Sequence, residues 1–354
     1  MFESMKIADY QKQIIREVDL AFEQFLEAMP DLSPPSQAVV EQVKIYCQAT
    51  GGKRVRGSIA AIAADQNGVE QKTAIRLGVV MELTHNYLLI VDDVMDRSTT
   101  RRGQATIHEG LRLSGQYDSF ESEMLAIDAG LILQHLAMWY MARIELPENR
   151  MTKINQVFHR LIATTGFGQF DDIVQRTSRP PKHESDIIRK YQQKSGYYTF
   201  VNPIICGLIA SGKDDDKSTK QAEKFGLAAG VVFQLHNDYI ELFDDKHYGK
   251  AKADDIRDGV YTLLVHDLMT HSNAQKRQEL NAIIGNPQAN DEQIQLVRQS
   301  MIEAGTKKRV AMTLNNYLEQ ALVAADEGSG FWGQELTNYL QDLLMQCKIN
   351  ETSA

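Results

Sequence analysis

Residues 74–96 read AIRLGVVMELTHNYLLIVDDVMD, an apolar run that ends in three aspartates. Its apolar residues recur at spacings of three and four through Ala74 to Met95, which predicts a helix with acidic residues at its C-terminal end. Asp92 and Asp96 share one face of that helix, with Asp93 beside them. Like charges at this spacing repel, and carboxylate oxygens select a hard cation such as Mg²⁺. Taken alone, the cluster is either a metal site or a solvated helix end.

The same helical spacing covers most of the chain, and no period-two strand pattern or flexible linker interrupts it. Prolines and glycines, such as Pro34-Pro35 and Gly51-Gly52, stand where helices should stop. We therefore predict one all-α domain over residues 1–354, with an N-terminal helix and connection (1–35), a motif-bearing core (36–270) and C-terminal helices (271–354). The further predicted helical segments are Ile7 to Met29, Ala38 to Cys47, Ser58 to Asp65, Ser122 to Ile144, Met151 to Val174, Asp186 to Ser211, Lys220 to Phe243, Thr262 to Met269, Glu292 to Asp326 and Phe331 to Cys347.

Composition excludes several function classes. Lys plus Arg number 38 against 47 Asp plus Glu, and the net charge of -9 argues against a nucleic-acid surface. The three cysteines are far apart and lack a Cys-x-x-Cys spacing, which disfavours disulfides and thiolate metal sites and favours a reducing compartment. No window reaches the roughly 18 uncharged apolar residues of a spanning helix. We expect a soluble, cytoplasmic protein without a membrane span.

Two groups of cations flank the predicted 74–95 helix. Residues 51–56, GGKRVR, bring three cations to a helix start, where backbone amides also favour anions. Arg101 and Arg102 follow the aspartates on a predicted loop. Either group alone is typical of a soluble surface, but with the carboxylates they describe a site for two phosphate-bearing groups. Neither a P-loop nor a strand-helix alternation is present, which excludes nucleotide sites of those kinds.

A second acidic cluster lies in residues 233–241, FQLHNDYIE, on another apolar helix. Asn237, Asp238 and Glu241 share an edge of that helix. Facing Asp92 and Asp96 across a bundle core, they would complete a polynuclear metal cage around one diphosphate. A solvated helix edge is the alternative for this cluster alone.

In combination these motifs resemble the trans-isoprenyl diphosphate synthases, the family of farnesyl and geranylgeranyl diphosphate synthases. The match runs in collinear order from about Ala38 to Leu264. The resemblance implies an all-α isoprenoid-synthase barrel around a deep central cavity, normally as a homodimer. It implies an Mg²⁺-dependent prenyltransferase that condenses isopentenyl diphosphate with an allylic diphosphate, head to tail and in the trans configuration.

The resemblance also assigns roles to individual residues. Metal ligands are Asp92 and Asp96, with Asp93 in support, together with Asp238 and Glu241. Residues that match an isopentenyl diphosphate site are Lys53, Arg56, His85 and Arg102. Residues that match an allylic diphosphate site are Arg101 and Lys194, and Lys250 is a further retained substrate-binding position. Polar and apolar residues near the reacting groups are Gln169, Asp172, Ser195, Phe233 and Gln234. The catalytic set is then Asp92, Asp96, Lys194, Gln234 and Asp238.

The sequence departs from the family pattern at a few positions. Asn237 and Glu241 replace the outer aspartates of the second motif, and a neutral amide is a poorer Mg²⁺ ligand than a carboxylate. Val260 stands where a diphosphate-binding lysine is usual, and Gly57 stands where proline is usual. These departures leave open whether two or three metal ions bind, and they are compatible with a slow or specialised enzyme.

Product length is the last expectation from the sequence. In the family, a bulky residue five positions before the first aspartate blocks the growing chain, and Tyr87 holds that position. With Leu88 next to it, the sequence favours geranylgeranyl diphosphate, with farnesyl diphosphate as the alternative. A plain core-packing role for Tyr87 is the competing interpretation.

Three related classes of protein share part of this pattern. A terpene cyclase needs no second diphosphate site, so residues 51–56 and Arg101-Arg102 argue against it. A peptide prenyltransferase would also lose the isopentenyl site. A non-catalytic subunit would be expected to lose the first acidic motif, which is complete here.

Overall fold

The structure, a computed structural model, describes residues 6–29, 31–48, 52–101, 103–176, 179–243 and 253–349. These ranges are almost entirely helical, and their strands are the two-residue segments β1 (Thr100–Arg101) and β2 (Gln104–Ala105), paired antiparallel. The all-α prediction is therefore confirmed. Arg102 and Lys250, two of the predicted binding residues, lie outside the described residues.

The chain divides into two compact units, Met1–Ile154 with Pro203–Lys213 and Asn155–Asn202 with Asp214–Ala354. Its first helices are α1 (Ile7–Glu27), α2 (Pro34–Gln48), α3 (Val55–Asp65), α4 (Gln71–Met95), α5 (Ile107–Leu113) and α6 (Ser119–Met141). Those that follow are α7 (Glu148–Val174), α8 (Glu184–Tyr191), a π-helix (Gln192–Val201), α9 (Asn202–Ser211), α10 (Asp216–Phe243), α11 (Asp254–Asp258), α12 (Leu263–His271), α13 (Ala274–Asn281), α14 (Asp291–Glu303), α15 (Thr306–Glu327), α16 (Ser329–Trp332) and α17 (Gln334–Met345). The single-domain prediction stays a prediction.

In the first unit, α3 packs on α4 at two glycines. A Cβ added to Gly78 would lie 2.7 Å from the carbonyl oxygen of Gly57, and one added to Gly57 would lie 2.8 Å from the carbonyl oxygen of Gly78. Since real side chains do not tolerate such distances, the two backbones can touch only where both residues are glycine. This contact fixes the start of α3, with its cations, against the middle of α4.

Helix α6 packs along α4 in the same unit. It begins with a capping box, in which the Asp118 side chain accepts from the Glu121 backbone amide and the Glu121 side chain accepts from that of Asp118. By length and composition alone, α4 and α6 are apolar enough to cross a membrane. The relevant α4 window is 78% buried inside the protein and that of α6 is 44% buried, and core helices pass the same test.

In the second unit, the π-helix lies against α10 and α7. Gly230 of α10 meets the backbone of Gly196, and Gly168 of α7 meets the backbone of Lys194. These close approaches require glycine, and they hold the π-helix rigidly along the stretch that carries Lys194 and Ser195. π-Helical turns are rare and frequently mark functional sites.

Several details of the helix prediction were wrong. The segment Glu292 to Asp326 is two helices, because Gly305 takes a left-handed conformation (φ 72°) that ends the first one. The segment Asp186 to Ser211 contains the π-helix, which apolar spacing alone does not distinguish from an α-helix. Pro34-Pro35 begins α2 instead of stopping a helix, since proline is tolerated in the first turn.

Candidate active site

The first acidic cluster ends α4 with one anchored and one accessible carboxylate. Asp93 is buried, and it accepts a hydrogen bond from the Tyr46 hydroxyl at 2.8 Å and from Arg101 Nε at 2.8 Å. Asp92 is 24% exposed, with an oxygen 3.9 Å from Arg101 Nη2. Asp96 follows as the C-cap of α4 and is half-buried. The anchoring agrees with a supporting role for Asp93 and leaves Asp92 accessible to a ligand.

The Asp93–Arg101 pair is electrostatically strong. Burial raises the pKa of Asp93, although Arg101 and the Tyr46 hydroxyl oppose that shift. Burial acts to lower the pKa of Arg101, but the charge and hydrogen bonds of Asp93 outweigh it, and the net shift is upward. Arg101 belongs to β1, which pairs with β2 in a short hairpin. Arg101 is therefore held by backbone structure as well as by its ion pair with Asp93.

The three cations at the start of α3 differ in how far they are exposed. Lys53 is exposed and Arg56 is half-buried, whereas Arg54 is buried. Arg54 Nη1 lies 3.7 Å from Oε2 of Glu82 on α4, and the Gly57 amide donates to Oε1 of the same carboxylate at 2.9 Å. Proline at position 57 could not make that hydrogen bond, because it has no amide hydrogen. The unusual glycine is thus part of the anchoring of the cationic segment.

Two other residues of the predicted isopentenyl site are placed by this packing. The Lys53 carbonyl accepts a hydrogen bond from the Gln11 side chain of α1 at 2.7 Å. His85 is buried on α4, one helical turn after Glu82. The structure therefore anchors the backbone next to Lys53 and orders the helix that carries His85.

A lysine–carboxylate cluster occupies the second unit. Lys194 Nζ on the π-helix donates to Asp172 Oδ2 of α7 at 2.7 Å, and Lys190 Nζ on α8 lies 2.9 Å from Asp172 Oδ1. Burial acts to raise the pKa of Asp172, but Lys194 and Lys190 outweigh it and hold that pKa well below the ordinary range. Asp172 is therefore ionised between two ammonium groups. Gln169, half-buried on α7, lies one turn earlier.

A hydrogen-bonded chain joins the remaining polar residues of the predicted catalytic set. The Ser195 hydroxyl donates to the Gln234 amide oxygen at 2.8 Å, and the Gln234 nitrogen donates to Asp238 Oδ1 at 3.0 Å. The other oxygen of Asp238 accepts from the Tyr191 hydroxyl at 2.5 Å, and that hydroxyl accepts from the Leu263 amide at 2.9 Å. Both Asp238 oxygens are thus engaged by the protein.

The second acidic cluster continues into a small pocket lined by Asp238, Glu241, Asp255 and Thr262. Glu241 accepts a hydrogen bond from the Asp255 amide at 3.0 Å. Burial is the main reason that the pKa values rise to about 6 for Asp238, about 8 for Glu241 and about 7 for Asp255, and neighbouring carboxylates add to it. Asn237 is exposed on α10. That the two acidic clusters face one another stays a prediction.

Two apolar residues of the predicted site are also ordered. The Phe233 ring packs edge-on against Phe200, with ring centroids 5.4 Å apart. Tyr87 is 8% exposed, and burial raises the pKa of its hydroxyl to about 12, which keeps it neutral. Leu88 beside it is half-buried.

The donor atoms suit Mg²⁺ bound together with a phosphate ligand. Within the described ranges, no group of three or more His, Cys, Asp or Glu side chains is arranged to hold a metal ion alone. Mg²⁺ usually keeps several waters and is bound through one or two carboxylates plus substrate phosphates. Asp92 and Asp96 in the first unit supply carboxylates of this kind, and Glu241 in the second unit supplies a carboxyl oxygen, so the residues present fit the ion.

Sequence reasoning missed several residues that shape the site. Glu82, Tyr46, Lys190 and Tyr191 bind other residues of the site through side chains that are mostly buried. Arg54, predicted as one of three anion-binding cations, is instead buried against Glu82. One signal was available for Glu82, which is the only acidic residue between Ile75 and Val91 in an apolar helix. The others carry no pattern, because their partners are distant in sequence.

Comparisons with known proteins point to one family. A family model described as polyprenyl synthetase matches residues 37–301. The geranylgeranyl diphosphate synthase of Methanosarcina mazei is 26% identical over 317 residues, covering 89% of this chain and 90% of that protein. The farnesyl pyrophosphate synthase of Bos taurus is 28% identical over 255 residues, covering 68% and 69%.

A solved structure shares the fold. The geranylgeranyl pyrophosphate synthase of Corynebacterium glutamicum, complexed with isoprenyl diphosphate and magnesium, superposes with a TM-score of 0.86 at 20% identity, covering 97% of this chain and 99% of the other. The fold predicted from the resemblance is thus confirmed as the all-α fold of isoprenyl diphosphate synthases. The chain belongs to the polyprenyl synthetase family, whose members are Mg²⁺-dependent prenyltransferases.

Proposed function

We propose that this protein is a short-chain trans-isoprenyl diphosphate synthase, which condenses isopentenyl diphosphate with an allylic diphosphate to give geranylgeranyl diphosphate. The observation that carries the proposal is the presence of two separate cationic stations. Lys53 and Arg56 stand at the anchored start of α3, and Lys194 stands on the π-helix beside Asp172. Two stations suit two diphosphates, whereas a cyclase needs one.

The proposal divides the substrates between these stations. Lys53, Arg56, His85 and Arg102 bind isopentenyl diphosphate; Arg101, Lys194 and Lys250 bind the allylic diphosphate. Asp92, Asp96, Asp238 and Glu241 would hold Mg²⁺, of which two or three ions are expected. When bound, Mg²⁺ neutralises the charge of the diphosphate leaving group.

The reaction needs no side-chain nucleophile. The allylic carbon–oxygen bond breaks with its electron pair going to pyrophosphate, and Lys194 and Arg101 stabilise the charge that develops there. The double-bond electrons of isopentenyl diphosphate then form the new carbon–carbon bond, and a proton passes to a pyrophosphate oxygen. Phe233 offers an apolar surface that excludes water from the allylic cation. The hydrogen bonds that join Ser195, Gln234 and Asp238 orient these three polar side chains beside it.

Geranylgeranyl diphosphate is supported as product by the position of Tyr87. It is buried on α4 a little more than one turn before Asp92, and a neutral phenol of its size suits an apolar stop for the growing chain. The relatives from Methanosarcina mazei and Sulfolobus acidocaldarius carry the name geranylgeranyl diphosphate synthase. We further propose that the protein is a homodimer and that it is cytoplasmic. The three buried free cysteines agree with a reducing compartment.

The test is product analysis with purified protein, isopentenyl diphosphate, Mg²⁺ and each allylic starter in turn. Dephosphorylated products are separated by chromatography, and we expect the twenty-carbon alcohol to dominate. A fifteen-carbon product would replace our assignment with a farnesyl synthase. Consumption of allylic diphosphate without isopentenyl diphosphate would indicate a cyclase and contradict the proposal.

A further inference from the structure

Lys190, which has no role in the proposed reaction so far, is a fully buried lysine. Its side chain is 1% exposed, and its Nζ lies 2.9 Å from Asp172 Oδ1 and 3.3 Å from the Tyr261 carbonyl oxygen to which it donates. Lysine is almost never buried unless its charge is paired. Burying this ammonium has a cost in desolvation, so the protein must gain something from its position.

The charges around Asp172 explain what is gained. Asp172 pairs with Lys190 through one oxygen and with Lys194 through the other. If Lys194 were the only partner of Asp172, the ion pair would be neutral, and the carboxylate would cancel the charge of Lys194. With both lysines the cluster carries one net positive charge. Lys194 is the more accessible of the two, with 22% of its side chain exposed against 1% for Lys190.

The wider surroundings make this balance important. Asp238 and Asp255 lie in the same unit, and the charge of Lys190 acts on Asp238 while that of Lys194 acts on Asp255. A neutral Asp172–Lys194 pair would offer little attraction to an incoming anion. Lys190 lies four residues before Lys194, at the junction of α8 and the π-helix, so both ammonium groups reach the same carboxylate.

We propose that Lys190 is a positioning residue, which neutralises and orients Asp172 so that the charge of Lys194 is available to a diphosphate. This inference rests on the proposed function for the role of Lys194. Lys190 does not touch the diphosphate itself; it acts through Asp172. The inference therefore makes a distinctive demand, that removing Asp172 should compensate for removing Lys190.

Calorimetric titration of the full chain with inorganic pyrophosphate and Mg²⁺ tests this demand. Lys190→Met removes the buried charge and should weaken pyrophosphate binding about tenfold, as loss of a close charge does in a buried site. Lys190→Met with Asp172→Asn restores one net positive charge and should recover most of the lost affinity. Lys224→Met is the matched control, because it removes an ammonium from the exposed Lys224–Glu327 pair and should leave affinity unchanged.

Steady-state kinetics give a second readout. The apparent KM for the allylic substrate should rise in Lys190→Met, while that for isopentenyl diphosphate stays unchanged. Lys190→Gln, which keeps a donor for the Tyr261 carbonyl, should show the same loss and replaces Lys190→Met if that variant does not fold. Wild-type affinity in the single variants, or a double variant no better than the single one, would overturn the inference. Failure of the wild type to bind pyrophosphate, or a Lys194→Met variant with unchanged affinity, would overturn the proposed function.

Discussion

The two acidic clusters of this protein hold their charges in opposite ways. At the end of α4, Arg101 and Tyr46 anchor Asp93, and Asp92 stays partly exposed beside the guanidinium. On α10 and α11, burial raises the pKa values of Glu241 and Asp255 to about 8 and about 7. The second cluster therefore retains protons near neutral pH, whereas in the first cluster Asp93 is paired with a guanidinium and a phenol. A cation bound by the second cluster must displace protons.

The buried cations of the two units also differ in their roles. In the first unit, Arg54 pairs with a single carboxylate, Glu82, in a buried contact that fixes the backbone. Near the second cluster, Lys190 shares Asp172 with Lys194 and changes the charge offered to a ligand. A buried ion pair can thus either hold the backbone in place or change the charge offered to a ligand. The number of cations that share one carboxylate indicates which.

The largest expected effect concerns the first cluster. Asp92→Asn and Asp96→Asn should each lower turnover by about 100-fold or more, because each removes a charged Mg²⁺ ligand needed for departure of pyrophosphate. The measurement is kcat under saturating substrates and limiting Mg²⁺, with a thermal melt to verify the fold. Asp128→Asn, an exposed carboxylate on α6, is the control and should keep full activity. Near-normal turnover in either variant would remove the first cluster from the mechanism.

The second cluster should be visible in stability against pH. The pKa of Glu241 is about 8 in the folded protein against an ordinary value of 4.5, so the folded state binds more protons than the unfolded state between these values. Stability from this group is present below about pH 4.5 and is lost as the pH rises through about 8. We expect the chelated protein to lose on the order of 5 kcal/mol of unfolding free energy across this range.

Matched variants separate this effect from general charge repulsion. Glu241→Gln should flatten the loss, measured by denaturant unfolding in chelator at several pH values. Glu292→Gln removes an exposed carboxylate on α14 and should leave the slope unchanged. Equal slopes for wild type and Glu241→Gln would show that the second cluster is already ionised and would erase the contrast between the clusters.

The sequence predicted the fold class and offered candidate site residues because those signals are local. Apolar spacing identified α4, and the Asp92 to Asp96 motif, the 51–56 segment and residues 233–241 are contiguous. Anchoring residues such as Arg54 and Lys190 depend on partners 28 and 18 positions away, as their ion pairs with Glu82 and Asp172 show. No periodicity marks such contacts.

The π-helix was missed for a related reason. A π-helix differs from an α-helix in its backbone bonding, while its apolar residues remain similarly spaced. Its cause lies in packing at Gly168 and Gly230, which belong to α7 and α10. Tertiary contacts of this kind override the local pattern.

A smaller effect should come from the altered second motif. Asn237 is exposed on α10, and Asn237→Asp restores the carboxylate usual in the family. We expect the Mg²⁺ concentration for half-maximal rate to fall about threefold, because a carboxylate is a better ligand than an amide. Asn338→Asp on α17 adds the same charge at another exposed position and should change nothing. Unchanged or weakened Mg²⁺ dependence in Asn237→Asp would show that the second cluster uses another arrangement.

The smallest effect on rate, but a clear one on product, is expected at Tyr87. Since one helical turn is about 5.4 Å, comparable to one isoprene unit, a side chain a turn or so before Asp92 meets the tail while the head stays bound. Tyr87→Ala should shift products to longer chains with the initial condensation within about twofold of the wild type, because the carboxylates and cations are untouched. Tyr87→Phe should keep the wild-type length, since burial raises the pKa of the hydroxyl to about 12 and leaves it neutral, so that bulk alone stops the chain.

The control separates a cavity floor from ordinary core packing. Tyr140 is buried on α6, and Tyr140→Ala should lower the melting temperature through lost packing without changing chain length. Product length by chromatography and a thermal melt are measured for both alanine variants. If Tyr87→Ala is destabilised like Tyr140→Ala yet still stops at the wild-type length, Tyr87 is a packing residue. The end of α4 then carries the metal ligands without the length determinant, and the stop must be sought on another helix.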